Sequence, residues 1–281
     1  MRAEWPKGPT YWTEDDVMYI SVPFTWNLPD VIALVTQQHF SIDRYIIGGP
    51  AIELMPDYFK GIDHVKIGHS MPGILQRVNP FATRTSIGCV RKCGFCGIGQ
   101  GKIEAGGFHE LNDWPDLPII CDNNLLAASQ GHFDRVMDRL EKWDKPDFNQ
   151  GLDSRLLNSY HARRLARLKR PNIRLACDSF GRFPEWLSAY HILINEGCKK
   201  SWISTYALIG FNDGPDGDWQ RCERLSRYCV VYPMWYHPLD AIKANQVTLE
   251  QETLGWTNAE RVRIMRRFYQ AKRGGYVEAA P

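Results

Sequence analysis

No stretch of the 281-residue chain approaches the roughly 20 consecutive apolar residues that a helix needs to span a bilayer. The opening residues Met1-Arg2-Ala3-Glu4-Trp5-Pro6 carry no apolar segment of signal-peptide type. A membrane protein is therefore not expected, and the cytoplasm is the expected compartment. Excess charge is missing too: 34 basic against 32 acidic residues give a net +2, so no global field demands nucleic acid or an anionic surface. Cysteine is sparse, at eight in the whole chain, which argues against a disulfide-framed secreted domain and favours reduced thiols. Internal repeats and low-complexity stretches are absent. What remains, with 44% hydrophobic and 23% charged residues, is the composition of an ordinary globular protein long enough for one large domain, or a large one plus a small one.

Three of the eight cysteines fall within eight residues, Cys89-Val90-Arg91-Lys92-Cys93-Gly94-Phe95-Cys96. Spacings of three and two let one loop turn three thiolates toward three corners of a cubane iron–sulfur cluster. The fourth iron would have no protein ligand, and an open metal position is where a small molecule binds and reacts. Zinc is the other reading. A structural zinc takes four ligands, usually as two separated pairs; no partner pair stands at ribbon spacing, and His109 is the candidate fourth ligand. The remaining cysteines, Cys121, Cys177, Cys198, Cys222 and Cys229, are scattered through strand-like and helix-like segments and read as small buried hydrophobes.

Along the chain, residues 16–22 read as a buried strand, about 28–38 as a helix, and 44–50 as a β-branched run closed by Gly48-Gly49-Pro50. From residue 80 onward strand-like segments at 84–87, 117–121, 148–152, 173–177, 202–208 and 230–235 alternate with helical patterns near 132–143, 159–169, 185–197 and 218–228. Such alternation predicts a parallel sheet with crossover helices. The stretch 97–116 holds five glycines and no helical stripe.

The cysteine run, with Phe95 just before its last member, resembles the signature of the radical S-adenosylmethionine (radical SAM) superfamily. That resemblance implies a [4Fe–4S] cluster on Cys89, Cys93 and Cys96. It implies that SAM chelates the open iron through its amino and carboxylate groups, and that reductive cleavage yields a 5′-deoxyadenosyl radical. This species takes a hydrogen atom from a substrate that the sequence does not name, and the cofactor supplies chemistry that side chains cannot. The implied fold is α/β, a partial (β/α)6 TIM-like barrel over residues 79–240. A small Rossmann-like αβ appendage precedes it at 1–78 and a C-terminal helical extension follows at 241–281. The appendage is similar to the cobalamin-binding domain of one branch of the superfamily but is too short, and the Asp-x-His-x-x-Gly ligand motif is missing, so cobalamin is not expected. A flavodoxin or ferredoxin is the implied electron donor.

Parallel α/β barrels place their sites at the C-terminal ends of the strands. Asp122 and Asn123 follow the second strand, where the family holds the methionine amino group, here without its Gly-Gly-Glu-like sequence; helix capping is the alternative. Gln150, Asp153 and Arg155 follow the third, in a stretch similar to a Gln-Gly-Leu-Asp-x-Arg sequence facing SAM or substrate. Asp153 and Arg155 are expected to act in catalysis, with an internal ion pair as the alternative. Asp178 and Ser179 follow the fourth as candidates for the ribose hydroxyls or for capping. On the fifth, Tyr206 is a catalytic candidate, Leu208 or Ile209 would pack on adenine, and Gly210 would allow close backbone approach or mark a bulge. His237 ends the sixth, as a proton donor or a structural residue.

Two basic runs, Arg163-Arg164-Arg167-Lys169-Arg170 and Arg261-Arg263-Arg266-Arg267-Lys272-Arg273, read as solvated helix faces. The second, interleaved with the aromatic pair Phe268-Tyr269 and boxed by Thr257 and Glu260, is the candidate for binding nucleic acid. A nucleic-acid-modifying enzyme transferring methyl or methylthio groups is a further alternative, although no second cysteine triplet for an auxiliary cluster is present. A zinc-stabilised nucleic-acid-binding module is the non-enzymatic one.

Overall fold

The structure is a computed structural model and describes residues 5–37, 44–68 and 73–269. The described chain divides into two compact units, each assembled from separate stretches of sequence. Among the described residues, the first takes 5–37, 44–68, 73–82, 91–107 and 237–245; the second takes 83–90, 108–236 and 246–269.

In the first unit, β1 (Thr10–Glu14) and β2 (Val17–Ser21) form an antiparallel hairpin in which Glu14 pairs with Val17. The two residues between them, Asp15 and Asp16, both have positive φ (48° and 60°). That is the geometry a two-residue hairpin turn of type I′ requires, and aspartate tolerates it better than most residues. Helix α1 (Leu28–Thr36) carries the chain to β3 (Arg44–Gly48), parallel to β2. After α2 (Pro50–Leu54), β4 (Val65–Ile67) adds in parallel, and α3 (Ile74–Val78) follows. The sheet order is β1-β2-β3-β4. Leu28, Val31 and Val35 share the inner face of α1 and close on Ile20, Val22, Ile47 and Ile52. Each such burial contributes about 1.5–3 kcal/mol.

Residues 91–107 and 237–245 complete this first unit. The Glu104 N–H donates to Glu53 Oε2 at 3.0 Å, Thr25 Oγ1 donates to the Ala241 carbonyl at 2.6 Å, and Trp26 lies 4.4 Å from the His237 ring.

The second unit begins at β5 (Ala82–Thr83), which straddles the division, and β6 (Ser86–Ile87). The single strand expected at 84–87 is thus broken. The Thr85 backbone N–H and hydroxyl both donate to the Asp122 carboxylate, at 2.6 and 2.5 Å, and β6 pairs instead with β7 (His109–Glu110) in antiparallel register. The glycine-rich stretch 97–116 contains β7 and no helix.

Then strands and helices alternate: β8 (Ile119–Ile120), α4 (Gln130–Leu140), β9 (Asp147–Phe148), α5 (Ser159–Arg167), β10 (Ile173–Ala176), α6 (Phe183–Asn195), β11 (Ile203–Ile209), α7 (Pro215–Ser226) and β12 (Val230–Trp235). β8 is parallel to β9, and β10, β11 and β12 are parallel in that order. Isolated parallel bridges, Asp147 with Asn172 and Leu152 with Leu175, lead from the β9 region to that of β10. β9 is short because the chain turns at Asn149–Gly151, where the Gly151 N–H returns to the Phe148 carbonyl. The protein is therefore mixed α/β with several sheets, and none of them, among the described residues, closes into a barrel.

Helices α8 (Leu249–Thr253) and α9 (Asn258–Tyr269) follow, and Ile264 and Phe268 of α9 are buried in the same core as Phe133, Trp186 and Leu193. The capping pair expected for α9 is present, with the Glu260 N–H donating to Thr257 Oγ1 at 3.2 Å. No helix among the described residues is long and apolar enough to cross a membrane.

Candidate functional site

Successive strand ends of the second unit are tied together by one polar side chain. Asn124, just past β8, is 2% exposed. Its Nδ2 donates to Cys89 Sγ at 3.5 Å and to Asp153 Oδ2 at 3.3 Å. Asp153, past β9, in turn accepts from Arg155 Nε at 2.6 Å and Nη2 at 3.0 Å, a two-pronged pairing that fixes both groups. The internal ion pair considered from the sequence is therefore formed, and it sits in contact with the residue that reaches a motif cysteine.

Asp178, past β10, belongs to the same electrostatic neighbourhood. Burial raises its carboxyl above the usual range, against the pull of Arg221 and Arg155, and the charge of Asp153 raises it further. Ser179 beside it is half-buried and makes no side-chain cap to the turn that follows.

Asp122 is 3% exposed. Burial raises its carboxyl too, and hydrogen bonds from Thr85 and Ser86 oppose the shift. The network continues from Thr85 Oγ1 to His132 Nε2 at 3.0 Å. Asp122 is thus engaged in holding the cysteine-bearing segment to β8. Asn123 is half-buried, and the Asn124 side chain makes no cap to the turn that follows it.

The fifth strand end is locked from below. The Gly210 N–H donates to Asp218 Oδ2 at 2.7 Å and the Gly210 carbonyl accepts from Gln251 Nε2 at 2.7 Å. Its φ is +79°, and a Cβ there would lie 2.4 Å from Trp235 Cζ3. The close approach that glycine permits is made by the Trp235 ring. Leu208 is half-buried, Gln150 is exposed, and the Tyr206 hydroxyl donates to the Asn149 carbonyl at 3.0 Å. Burial pushes the Tyr206 phenol up.

Cys89 belongs to the second unit, while Cys93, Phe95 and Cys96 belong to the first; all four are half-buried. The Cys96 N–H returns to the Cys93 carbonyl at 3.1 Å and the Gln100 N–H to the Cys96 carbonyl at 2.9 Å. Gly99 lies against this turn so closely that a Cβ would meet the Cys93 nitrogen at 2.5 Å and its carbonyl oxygen at 2.7 Å. The three thiols are free of disulfides, as are the five buried ones. Among the described residues, no three His, Cys, Asp or Glu side chains are grouped as a bound metal would hold them. By the chemistry of the donor set, three soft sulfurs with an amide N–H directed at one of them, the residues fit an iron–sulfur group.

His237 belongs to the first unit. Its Nε2 accepts from the Asn245 N–H at 2.9 Å and its ring packs on Trp26, so the lone pair is engaged in holding the loop. His109 is exposed in β7.

Three residues of the first basic run are paired: Arg163 with Glu196, Arg164 with Asp134, Asp138 and Glu141, and Arg170 with Asp144. In the second, Arg263 pairs with Glu260 and lies 4.2 Å from the Trp219 ring, while Lys272 and Arg273 lie outside the described residues. Asn124 is the site residue that the sequence reading left out, although it directly follows Asn123. No protein-family model matches the chain, and no curated protein matches it.

Proposed function

We propose that the protein is a radical SAM enzyme in which Cys89, Cys93 and Cys96 hold a [4Fe–4S] cluster. The observation that carries this reading is the hydrogen-bonded chain from Cys89 through Asn124 to the Asp153–Arg155 pair, which joins the first cysteine of a C-x3-C-x2-C run to charged groups at successive strand ends. The in-order parallel strands β8 to β12, each followed by a helix, support a partial (β/α)6 barrel as the scaffold. When bound, the cluster supplies the electron that splits SAM into methionine and a 5′-deoxyadenosyl radical, the species that takes a hydrogen atom from the substrate.

The chain's own residues orient and shield. Arg155, held by Asp153, presents a guanidinium suited to a carboxylate of SAM or substrate. Asp178 and Ser179 would accept hydrogen bonds from ribose hydroxyls, and half-buried Leu208 offers an apolar surface for the purine. Asp122 and His132 hold the Thr85–Cys89 segment in place. A flavodoxin or ferredoxin is the fitting electron source.

The test is anaerobic reconstitution. Protein carrying about four irons per chain that releases 5′-deoxyadenosine from SAM under a strong reductant, and Cys89→Ala protein that does neither, is the expected result. Stoichiometric zinc without iron would replace this reading with the zinc-stabilised module.

A further inference from the structure

Asn124 is enclosed, and its Nδ2 faces two acceptors, a thiol sulfur and a carboxylate oxygen. Turning the amide over would set its carbonyl against the Asp153 carboxylate, so that partner fixes its orientation. The Oδ1 that results is buried and has no hydrogen-bond partner. A side chain serving only the packing of the loop would not be expected to leave a buried acceptor unsatisfied.

We propose that Asn124 is a positioning residue that sets the reduction potential of the cluster held in part by Cys89, an inference that rests on the function proposed above. An N–H donated to a cysteine sulfur stabilises the added electron of the reduced state and so raises the potential. Asp153, on the same amide, brings negative charge toward the sulfur, and Arg155 neutralises it. Asn124 thereby makes the cluster easier to reduce by a biological donor and keeps the Asp153 carboxylate at a fixed distance from it.

The experiment is an anaerobic redox titration of reconstituted full-length protein, followed by electron paramagnetic resonance, on wild type, Asn124→Leu and Asn124→Asp. Iron is counted in each sample. Four irons in all three, with the potential of both variants shifted negative and Asn124→Asp shifted further, is the expected result. Wild-type potential in either iron-loaded variant would overturn the inference while leaving the proposed function standing. Loss of iron from both variants, with wild type fully loaded, would also overturn it by making Asn124 a support for the loop alone. Absence of iron from wild type would instead remove the proposed function itself, and the inference with it.

Discussion

Arg221 and Asp218 form an ion pair inside the second unit, each side chain 1% exposed. The guanidinium also donates to the Cys177 and Leu208 carbonyls, and the carboxylate accepts from the Gly210 N–H. Helix α7 thus reaches up to fasten the ends of β10 and β11. Burial pushes the Asp218 carboxyl up to about 6 against the pull of Arg221, the Gly210 N–H and their hydrogen bonds.

Removing one partner strands the other. Arg221→Met is expected to cost about 3–5 kcal/mol in urea unfolding, because it leaves a buried carboxylate without its cation and two carbonyls without their donor. The double variant Arg221→Met/Asp218→Leu should recover part of that loss. Additive losses in the double-mutant cycle would show that the pair is not coupled.

Two buried histidines should contribute stability that grows as pH rises across the histidine range. Burial holds the His132 imidazole below the usual range, with Glu110 and Asp122 pulling only partly against it, and burial acts on His161 in the same direction. The unfolded chain takes up protons below about pH 6.5 that the folded one refuses, so stability is lost as pH falls through that value. Each histidine contributes a slope of at most about 1.4 kcal/mol per pH unit. Urea midpoints at several pH values should show a smaller slope in His132→Gln; an unchanged slope would rule the residue out as a source.

The eight thiols should separate into two classes. Burial pushes Cys121, Cys177, Cys198, Cys222 and Cys229 up to about 12, whereas Cys89, Cys93 and Cys96 are half-buried. Iodoacetamide on folded, metal-free protein should label the motif cysteines first by mass spectrometry. Equal labelling of the buried five would contradict their placement.

A methyl group at Gly99 should disturb the cysteine turn. Its nearest neighbours would be backbone atoms of Cys93, which cannot swing aside, and relief costs about 1–3 kcal/mol. Gly99→Ala is expected to retain less iron after reconstitution than wild type. Gly106→Ala, where a Cβ meets nothing within 4 Å, should retain it in full. Equal retention in both would show that the turn tolerates the shift.

The alternation of strands and helices was legible because each segment carries its own pattern: 230–235 is a strand to the residue, and 173–177 and 202–208 are nearly so. The hairpin strand β1 was not, since Thr10-Tyr11-Trp12-Thr13-Glu14 lies on a sheet edge and lacks an apolar run. Its signal was the two-aspartate turn that follows. At the site, polar residue types alone drew attention to Asp122 and Asn123. Extended chain alternates faces, and the buried pair is Asp122 and Asn124. The transfer of 91–107 and 237–245 to the first unit leaves no local trace, because it depends on partners such as Thr25 and Ala241, 216 residues apart.

That last contact has a consequence for synthesis on the ribosome. The hairpin and the three parallel-paired strands of the first unit emerge early, yet the segment that completes it at 237–245 leaves the exit tunnel only after most of the second unit has been made. At typical elongation rates of about 5–20 residues per second, the early part waits roughly ten seconds or more for its last piece. During that interval the surface destined for residues 237–245 is open to chaperones, and a nascent chain arrested before residue 237 should be more protease-sensitive around Thr25–Asn27 than one released after residue 245.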